Sequence, residues 1–484
     1  MCGVIGIIAD YEVAHDLYVG LYALQHRGQT SAGIITYDTT FHLKKGNGLV
    51  SKVFNEKNLA RLKGKIGIGQ VRYPTIGPGN EEDAQPFMVN APLGIAMAHN
   101  GNVTNYWELR EELANKCFRH LTSYSDVEVI LNVFADELSI QSLHKFSFDI
   151  LVKAIRGVFN RVKGSYSVVG FIAQQGLFAF RDPYGIKPLC LGKRGSNYIL
   201  ASESAAIDHL GYQFLRDVLP GEIVFIDNKR KLYSKIIETK VATPCIFEWV
   251  YFARPDSIID NIEVYSARER LGEKLGLACR QLNLSPDVVI PVPDSGRGAA
   301  QAVARILGVP QKEGLIKNYY IGRTFIMPKH SQRVNSVTIK LNVVKSVIAR
   351  KKVLVVDDSI VRGTTAQQIV RLLRRAKASK VYYAVTCPPI RYPCVYGIDM
   401  MTRGEFIARD MSLEDIRRKI GADVLIYQTL EDMCDAIRDQ DKNQNQKFCT
   451  ACYTGIYPTG ISTKQILKLE KERLKATADK KSRS

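Results

Sequence analysis

A cysteine directly behind the first methionine, in "MCGVIGI" (residues 1–7), has a type and a position that could do chemistry. Methionine is usually removed in front of a residue as small as cysteine, and Cys2 would then carry a free α-amine beside its thiol. Such an amine has a pKa of about 7.7 to 8.0, so it can accept the thiol proton at neutral pH. The position therefore predicts a nucleophile activated by its own amino terminus. The alternative is an ordinary small residue in front of a strand.

A second reactive group ends the apolar run in "VLVVDDSIVRGTT" (residues 353–365). Two carboxylates, Asp357 and Asp358, are followed by a turn of hydroxyl and glycine residues and then by a helical pattern. Backbone N–H groups at the start of a helix bind anions, whereas neighbouring carboxylates suit ribose hydroxyls or a hard cation such as Mg²⁺. The stretch thus predicts a ribose 5-phosphate site rather than a solvated turn, with the phosphate held by Ser359, Arg362, Gly363, Thr364 and Thr365.

Cysteine usage predicts a metal site. The chain has ten cysteines, and "FCTACYTGIYP" places Cys449 and Cys452 as a C-x₂-C pair. We see no apolar stretch long enough to span a membrane and no secretory signal, so we expect a cytoplasmic protein with reduced thiols. A bound metal then explains the pair better than a disulfide, and iron and zinc both remain open at this point. The alternative is two packed thiols.

The charge balance predicts anionic ligands. The chain has 484 residues with 67 Lys and Arg against 48 Asp and Glu, a net charge of +19. Such a field attracts nucleic acid or phosphorylated small molecules. Part of the excess lies in residues 462–484, which we interpret as a basic helix that frays into a tail. Because no nucleic-acid-binding motif is visible, we expect no nucleic-acid partner and no membrane partner.

Two different sequence patterns along the chain predict two domains, and these domains position the residues described above. Up to about residue 235, short apolar runs separated by glycine turns indicate mainly antiparallel sheets. Helical patterns interrupt them in residues 13–28, ending at Gly28, and in residues 125–138, capped by Ser125 or Asp126. From about residue 265, apolar strands, polar turns and amphipathic helices alternate, which is typical of a doubly wound parallel sheet with ligands beyond its carboxyl ends.

The 353–365 stretch resembles the ribose-phosphate signature of the type I phosphoribosyltransferases, which bind phosphoribosyl pyrophosphate (PRPP) with Mg²⁺. The loop "PVPDSGRGAA" (residues 291–300) resembles the loop that faces the pyrophosphate in this family. The basic stretch 317–342 resembles the loop that closes over PRPP, its alternative being a surface insertion. The resemblance implies that PRPP is also bound by Asp294, Ser295, Gly296 and Arg297, and that one Mg²⁺ per subunit lies near Ser295, Asp357 and Asp358.

The first half contains "CGVIGI", "LQHRGQTSAGI", "VRYPT", "AQPF", "AHNGNVTN" and "SDVEV". In this order they resemble the N-terminal-nucleophile (Ntn) glutaminase domain of the class II glutamine amidotransferases. The resemblance implies that Cys2 forms a glutamyl thioester and that Asn100 and Gly101 form the oxyanion hole. It implies that glutamine is bound by Arg27, Gly28, Arg72 and Asp126, with Arg72 on the carboxylate and Asp126 on the ammonium group.

Over about residues 2–460 the chain resembles the glutamine phosphoribosylpyrophosphate amidotransferase family. The implied fold is α/β: an Ntn-hydrolase αββα sandwich (residues 2–240), a type I phosphoribosyltransferase doubly wound parallel sheet (241–455) and a basic C-terminal helix or tail (456–484). The implied reaction converts glutamine, PRPP and water to 5-phospho-β-D-ribosylamine, glutamate and pyrophosphate, the first committed step of purine synthesis. Ammonia would travel inside the protein, and Tyr251 and Arg254 of "WVYFARPDS" would help to couple the two sites.

The resemblance also decides the metal. The cluster-bearing branch of this family carries cysteines in the contexts of Cys245, Cys394, Cys449 and Cys452, which implies one 4Fe–4S cluster per subunit with a structural function. We expect Cys117, Cys190, Cys279, Cys387 and Cys434 to be core or surface residues. Purine nucleotides are the implied feedback inhibitors, and a homo-oligomer (dimer or tetramer) is the implied assembly.

Two other functions stay open at this point. The first is another class II glutamine amidotransferase, such as a glucosamine 6-phosphate synthase or an asparagine synthetase, against which the 353–365 stretch argues. The second is a PRPP-sensing regulator that binds nucleic acid, which the net charge of +19 would suit. An N-terminal cysteine glutaminase would have no purpose in such a regulator.

Overall fold

The computed structural model describes residues 1–73, 80–142, 146–318, 341–400, 402–438 and 445–482. The apolar runs of the first half form two antiparallel sheets, as predicted. One sheet has seven strands in the order β11-β9-β10-β1-β4-β2-β3 and the other has six in the order β13-β12-β8-β7-β6-β5. The strands are β1 (Gly3–Ile8), β2 (Ser31–Tyr37), β3 (Phe41–Asn47), β4 (Ile66–Arg72), β5 (Phe87–Val89), β6 (Ile95–Val103), β7 (Gly164–Ile172), β8 (Gly176–Arg181), β9 (Cys190–Arg194), β10 (Asn197–Ala201), β11 (Gln213–Asp217), β12 (Glu222–Asp227) and β13 (Leu232–Ile236).

Helices cover the outer faces of the two sheets and complete an αββα sandwich. One buried cluster, which includes Val4, Ile68 and Val169, lies between the sheets, and separate clusters lie between each sheet and its helices. Both faces of the central strands are therefore buried, which explains their short, nearly continuous apolar runs. The helices are α1 (Ala14–Ala23), α2 (Val50–Val53), α3 (Glu56–Leu59), α4 (Tyr106–Asn115), α5 (Asp126–Ser139), α6 (Phe148–Arg161) and α7 (Ser204–His209).

The first predicted helix ends earlier than the sequence pattern suggests. Helix α1 stops at Ala23, a 3₁₀ turn (Gln25–Arg27) follows, and Gly28 is in an extended conformation. Gly28 is therefore not a left-handed helix cap. A Cβ atom there would lie 2.6 Å from the backbone nitrogen of Arg72, so glycine allows this turn to pack directly on the end of β4.

The second half contains the predicted parallel sheet, in the order β16-β19-β20-β21 with parallel pairing throughout. Its strands are β16 (Val288–Pro291), β19 (Lys352–Asp357), β20 (Lys380–Val385) and β21 (Val424–Tyr427), and the short strands around it are β14 (Ile258–Ile259), β15 (Ile262–Glu263), β17 (Leu315–Lys317) and β18 (Leu341–Val343). The helices are α8 (Val264–Gln281), α9 (Arg297–Leu307), α10 (Lys345–Ile348), α11 (Thr364–Arg375), α12 (Leu413–Ile420), α13 (Leu430–Ile437), α14 (Ala451–Thr454) and α15 (Thr463–Ser482). A 3₁₀ turn spans Arg403–Glu405.

A π-helix (Glu248–Phe252) joins the sandwich to the parallel sheet. Its Trp249 is fully buried and packs edge-on against Phe448 at 5.5 Å between ring centroids. The C-terminal segment thus packs against the junction of the two halves. Among the described residues, no helix is long and apolar enough to cross a membrane.

Candidate active site

Cys2 lies at the start of β1, almost fully buried beside the end of β6. Its backbone nitrogen donates a hydrogen bond to Oδ1 of Asn100 at 3.0 Å, and its Sγ lies 3.7 Å from the carbonyl oxygen of Tyr73. The Nδ2 of Asn100 is buried and has no hydrogen-bond partner within the described residues. A buried amide that is held next to a thiol and keeps its donor unused suits the stabilisation of an oxyanion.

Gly101 follows Asn100 in the same strand. A Cβ atom on Gly101 would lie 2.0 Å from the carbonyl oxygen of Ser165 in the neighbouring strand, so no larger residue fits. The close approach of β6 and β7 therefore requires the glycine of the "HNG" motif.

Asp126 and Arg72 carry opposite charges close to each other, each at the end of an element. Arg72 is the last residue of β4, and Asp126 is the first residue of α5. Burial raises the pKa of Asp126, but the hydrogen bond from His99 and the positive charge of Arg72 outweigh burial and leave its pKa below the ordinary value. The pair can therefore present a carboxylate and a guanidinium together, as recognition of an amino acid requires.

His99 orients the Asp126 carboxylate. Its Nε2 lies 3.2 Å from Oδ2 of Asp126, and its Nδ1 lies 3.1 Å from Nε2 of Gln85. Gln85 uses its oxygen to accept the backbone N–H of His99 at 2.8 Å, so its amide nitrogen faces the ring. Nδ1 is thus an acceptor, and the N–H of Nε2 donates to Asp126.

Arg27 is fully buried and makes contacts that the sequence did not suggest. Its Nε donates to the carbonyl oxygen of Cys2 at 2.9 Å, and its guanidinium binds both oxygens of Glu248 at 2.8 and 3.0 Å. Its Nη1 also bonds Glu203. These contacts hold the backbone of Cys2, while the assignment of Arg27 to glutamine binding stays a prediction.

The loop after β19 lies at the carboxyl end of the parallel sheet, as the topology predicts. Oδ2 of Asp357 accepts from Tyr383 at 2.5 Å, and Asp358 accepts from Ser359 at 2.5 Å and also from Ser295. Arg362 is paired with Glu405. Two adjacent carboxylates, each with hydroxyl neighbours, thus face the start of α11.

Burial perturbs both carboxylates, and repulsion from Asp358 adds to the effect at Asp357. Burial, together with the charge of Asp358, raises the pKa of Asp357 to about 8, and burial also raises the pKa of Asp358. Buried acids of this kind ionise readily only when a cation or donor groups arrive. The chemistry of this pair fits a bound Mg²⁺ or ribose hydroxyls.

The loop after β16 lies beside the loop after β19. Gly296 packs on the adjacent strand, since a Cβ there would lie 2.6 Å from the carbonyl oxygen of Val356. Asp294 accepts from Arg297 at 2.7 Å and from Lys317 at 2.6 Å. Asp294 of this loop is thus bonded to two cations, Arg297 beside it and Lys317 at the end of β17. Most of the predicted closing loop, residues 319–340, lies outside the described residues.

One cavity of about 500 Å³ joins the two groups of residues. Met1, Arg27 and Tyr73 line it from the sandwich, while Ser295 and residues 357–365 line it from the parallel-sheet domain. Phe247, Tyr251 and Phe252 of the junction complete the wall. Residues adjacent to Cys2 in the chain or bonded to it, and the loop after β19, thus line the same space.

Comparison with known proteins identifies both halves. A family model described as a glutamine amidotransferase domain matches residues 75–209, and one described as a phosphoribosyltransferase domain matches residues 259–393. The Escherichia coli amidophosphoribosyltransferase is 48% identical over 469 residues, covering 95% of this chain and 93% of the relative. The Archaeoglobus fulgidus amidophosphoribosyltransferase is 44% identical, covering 95% and 98%. The chain belongs to the amidophosphoribosyltransferase family.

A solved structure agrees with this assignment. The glutamine PRPP amidotransferase of B. subtilis, complexed with ADP and GMP, superposes with a TM-score of 0.86 at 39% identity, covering 96% of this chain and 98% of that one. The predicted fold of an Ntn-type sandwich followed by a phosphoribosyltransferase sheet is confirmed. Like its relatives, the chain is a purine-biosynthesis enzyme of the glutamine amidotransferase and glycosyltransferase classes.

The four cysteines predicted as cluster ligands in this amidophosphoribosyltransferase converge at the junction. Cys245 and Cys449 form a parallel β-bridge, and all four side chains are buried. Burial raises the pKa of Cys245 to about 11, with contributions from neighbouring charges that include Cys394. Among the described residues, no group of three or more His, Cys, Asp or Glu side chains is arranged so that it could hold a metal ion. Zinc needs its sulfur ligands about 3.8 Å apart, given Zn–S bonds of about 2.3 Å.

Sequence reasoning missed Glu203, Glu248, Arg268 and Tyr383. Arg268 is buried and donates to the carbonyl oxygens of Trp249 and Ala253, both at 2.8 Å.

Of the predicted coupling residues, Tyr251 lines the cavity, while Arg254 pairs with Asp256 near the surface. Only Glu248 had a signal in the sequence: a glutamate inside the apolar run "CIFEWVYF" needs a buried partner.

Proposed function

We propose that this chain converts glutamine, PRPP and water to 5-phospho-β-D-ribosylamine, glutamate and pyrophosphate, with ammonia passing through the shared cavity. The observation that carries the proposal is the cavity itself, because residues next to the nucleophile and residues of the phosphate loop line it together. Ammonia released at Cys2 thus has a protein-walled route to the PRPP site. The synthesis supplies the first committed intermediate of purine biosynthesis.

In the glutaminase half, the Cys2 thiolate attacks the side-chain carbonyl carbon of glutamine. The nitrogen that would become the free amine after removal of Met1 lies at the Oδ1 of Asn100, which fixes its position beside the thiol. The unused Nδ2 of Asn100 and the N–H of Gly101 stabilise the oxyanion. Ammonia leaves with the proton taken from the thiol, and water then hydrolyses the thioester to glutamate.

Arg72 and Asp126 select glutamine by its two charged main-chain groups. The guanidinium of Arg72 binds the carboxylate, and the carboxylate of Asp126 binds the ammonium group. The N–H from His99 keeps Asp126 ionised and in place. Gly28 lets the Arg27 turn pack against Arg72 and so closes the pocket from one side.

In the phosphoribosyl half, the 5-phosphate lies at the start of α11. Thr364 and Thr365 begin that helix, and Gly363 in front of them is left-handed with φ of 76°. Exposed N–H groups and hydroxyls there bind the phosphate. Asp357 and Asp358 bind the ribose hydroxyls and one Mg²⁺, which Ser295 approaches, and Asp294 to Arg297 face the pyrophosphate. Bound Mg²⁺ neutralises charge on the leaving pyrophosphate.

We also propose a 4Fe–4S cluster on Cys245, Cys394, Cys449 and Cys452. Burial and the nearby Cys245, Cys394 and Cys449 raise the pKa of Cys452, which supports one shared site for the four thiols. Bound there, the cluster would tie the junction at Cys245 to the C-terminal segment, a structural function. Anaerobically purified protein should be brown with about four irons per chain, as for a four-cysteine cluster. Colourless protein with one zinc would contradict iron.

Regulation and assembly are inferred from relatives. Because the B. subtilis structure holds ADP and GMP, we propose purine nucleotides as feedback inhibitors. A cytoplasmic homo-oligomer, dimer or tetramer, is the proposed state, and sedimentation at several concentrations tests it.

One assay tests the proposed activity. Glutamate release and phosphoribosylamine formation are measured in the presence of glutamine and Mg²⁺, once with PRPP and once without it. Formation of the amine only when PRPP is present supports the proposal. Glutamate release without any amine product would contradict it and favour another amidotransferase reaction.

A further inference from the structure

The π-helix Glu248–Phe252 is the element that separates the two sites. Tyr251 and Phe252 line the shared cavity, with ring centroids 5.0 Å apart. A π-helix is a rare and poorly bonded element that is frequent at functional sites. Its position therefore has to be fixed by contacts from outside.

An arginine from the sandwich fixes its first residue. Glu248 is buried, and both of its carboxylate oxygens accept from the guanidinium of Arg27, which in turn donates to the carbonyl oxygen of Cys2. A bidentate, charge-assisted pair of this kind constrains direction as well as distance. The nucleophile's backbone and the start of the π-helix are thus bonded to one side chain.

An arginine from the other domain fixes the far end. Arg268 of α8 donates to the carbonyl oxygens of Trp249 and Ala253, which lie in and just after the π-helix. Carbonyl groups at the end of a helix lack partners inside it, so a guanidinium there satisfies them. Burial lowers the pKa of Arg268, and the negative charge of Asp358 nearby partly offsets this lowering.

We propose that Glu248 and Arg268 are positioning residues, which clamp the π-helix between the nucleophile and the PRPP loop and so keep the route for ammonia closed to solvent. The inference rests on the proposed function. Neither Glu248 nor Arg268 is among the residues that line the cavity, so both act through the π-helix.

The test is the ratio of phosphoribosylamine formed to glutamate released. For Glu248→Gln, which keeps the size but removes the charge, we expect this ratio to fall about twofold or more, because small misplacements at such sites have large effects. Synthesis from added ammonia should stay within about threefold of wild type, since ammonia from solvent bypasses the route. Arg268→Lys keeps the charge but loses the forked donor, and it should lower the same ratio.

A matched control uses another ion pair that joins the two halves, formed by a buried arginine and a partly buried aspartate. Arg181 of the sandwich binds both oxygens of Asp260, in the turn between β14 and β15, at 2.7 and 2.9 Å. Neither residue lines the cavity. Asp260→Asn should lower the unfolding temperature and leave the ratio unchanged.

Two outcomes would overturn the proposal: an unchanged ratio in both variants, or an equal loss of ratio in Asp260→Asn. A parallel loss of glutamine- and ammonia-dependent synthesis would also count against it, because it indicates a general structural effect. If Glu248→Gln does not accumulate as folded protein, Arg268→Lys provides the same measurement. Failure of the proposed function is distinguishable, since wild type would then form no phosphoribosylamine at all.

Discussion

The two reactive regions of this chain treat their buried charges in opposite ways. Around Cys2, Arg27 is paired with the carboxylates of Glu203 and Glu248, and Asp126 accepts from His99 and lies in the field of Arg72. In the loop after β19, Asp357 and Asp358 lie side by side, and repulsion adds to burial in raising the pKa of Asp357 to about 8. The region around Cys2 is preorganised, whereas the loop after β19 holds carboxylates whose charge a cation or donor groups would stabilise.

The difference follows from the chemistry of each site. A thiol and its oxyanion hole need fixed geometry before the substrate arrives, because preorganised donors lower the barrier without reorganisation. A loop that takes a cation and a polyanion needs negative charge that is costly until they bind. Ionising these buried carboxylates is therefore costly in the second region until a cation or donor groups offset the cost.

The largest effect is expected from replacing the nucleophile, because this change removes the chemistry of the first region only. Cys2→Ser should abolish glutamine-dependent synthesis by about 10³-fold or more, since loss of a nucleophile costs the whole covalent route. Synthesis from added ammonia should survive, because the PRPP region is untouched. Steady-state assays with each nitrogen source measure this. Equal loss of both activities in a folded variant would show that the two chemistries are not separable.

The reciprocal change is made in the PRPP loop. Asp357→Asn combined with Asp358→Asn should weaken the binding of PRPP with Mg²⁺ by about 100-fold, because contacts to charged groups are strong. The variant should also lose the synthesis of phosphoribosylamine. Basal glutaminase activity should remain. Calorimetric titration with PRPP and Mg²⁺ provides the affinity. An unchanged affinity would show that the two carboxylates do not bind the ribose or the cation.

A smaller effect tests whether the loop backbone is set for phosphate. Gly363→Ala places a Cβ 2.4 Å from Cδ1 of Ile407 at a φ of 76°, and left-handed strain costs about 1 to 2 kcal/mol. We expect the KM for PRPP to rise about tenfold.

Gly308→Ala is the control for this variant. Gly308 has a similar φ of 67°, and nothing lies within 4 Å of its Cβ position. It should lower stability without changing the KM for PRPP. If Gly308→Ala also raises this KM, the effect of Gly363→Ala comes from general backbone strain and not from a change in the loop after β19.

The smallest effect concerns pH. Between about pH 4 and pH 8 only the folded protein holds the proton of Asp357, since the ordinary pKa of Asp is about 3.9. The folded state thus binds more protons, and stability falls as the pH rises through this range. Without divalent cations, the unfolding temperature should fall about 2 to 4 °C more from pH 5 to pH 8 in wild type than in Asp357→Asn. Identical pH slopes would contradict the raised pKa.

Much of the site could be predicted from short stretches of sequence. The strand, turn and helix of residues 353–365 fold as the pattern indicates, because a buried strand and an amphipathic helix are encoded by neighbouring residues. The end of α1 could not be predicted in this way. Gly28 fitted a helix cap, but its position is decided by the backbone of Arg72, which lies on a distant strand.

By itself, the sequence determined the two domains, the position of Cys2, the paired carboxylates at the end of β19 and the order of the family motifs. Only the tertiary structure decided that Arg27 binds Glu203 and Glu248, which are 176 and 221 residues away along the chain. It also brought Met1 and the PRPP loop to one cavity. The physical reason is that periodicity records which face of an element is buried, while the pairing of two buried charges depends on how whole domains pack.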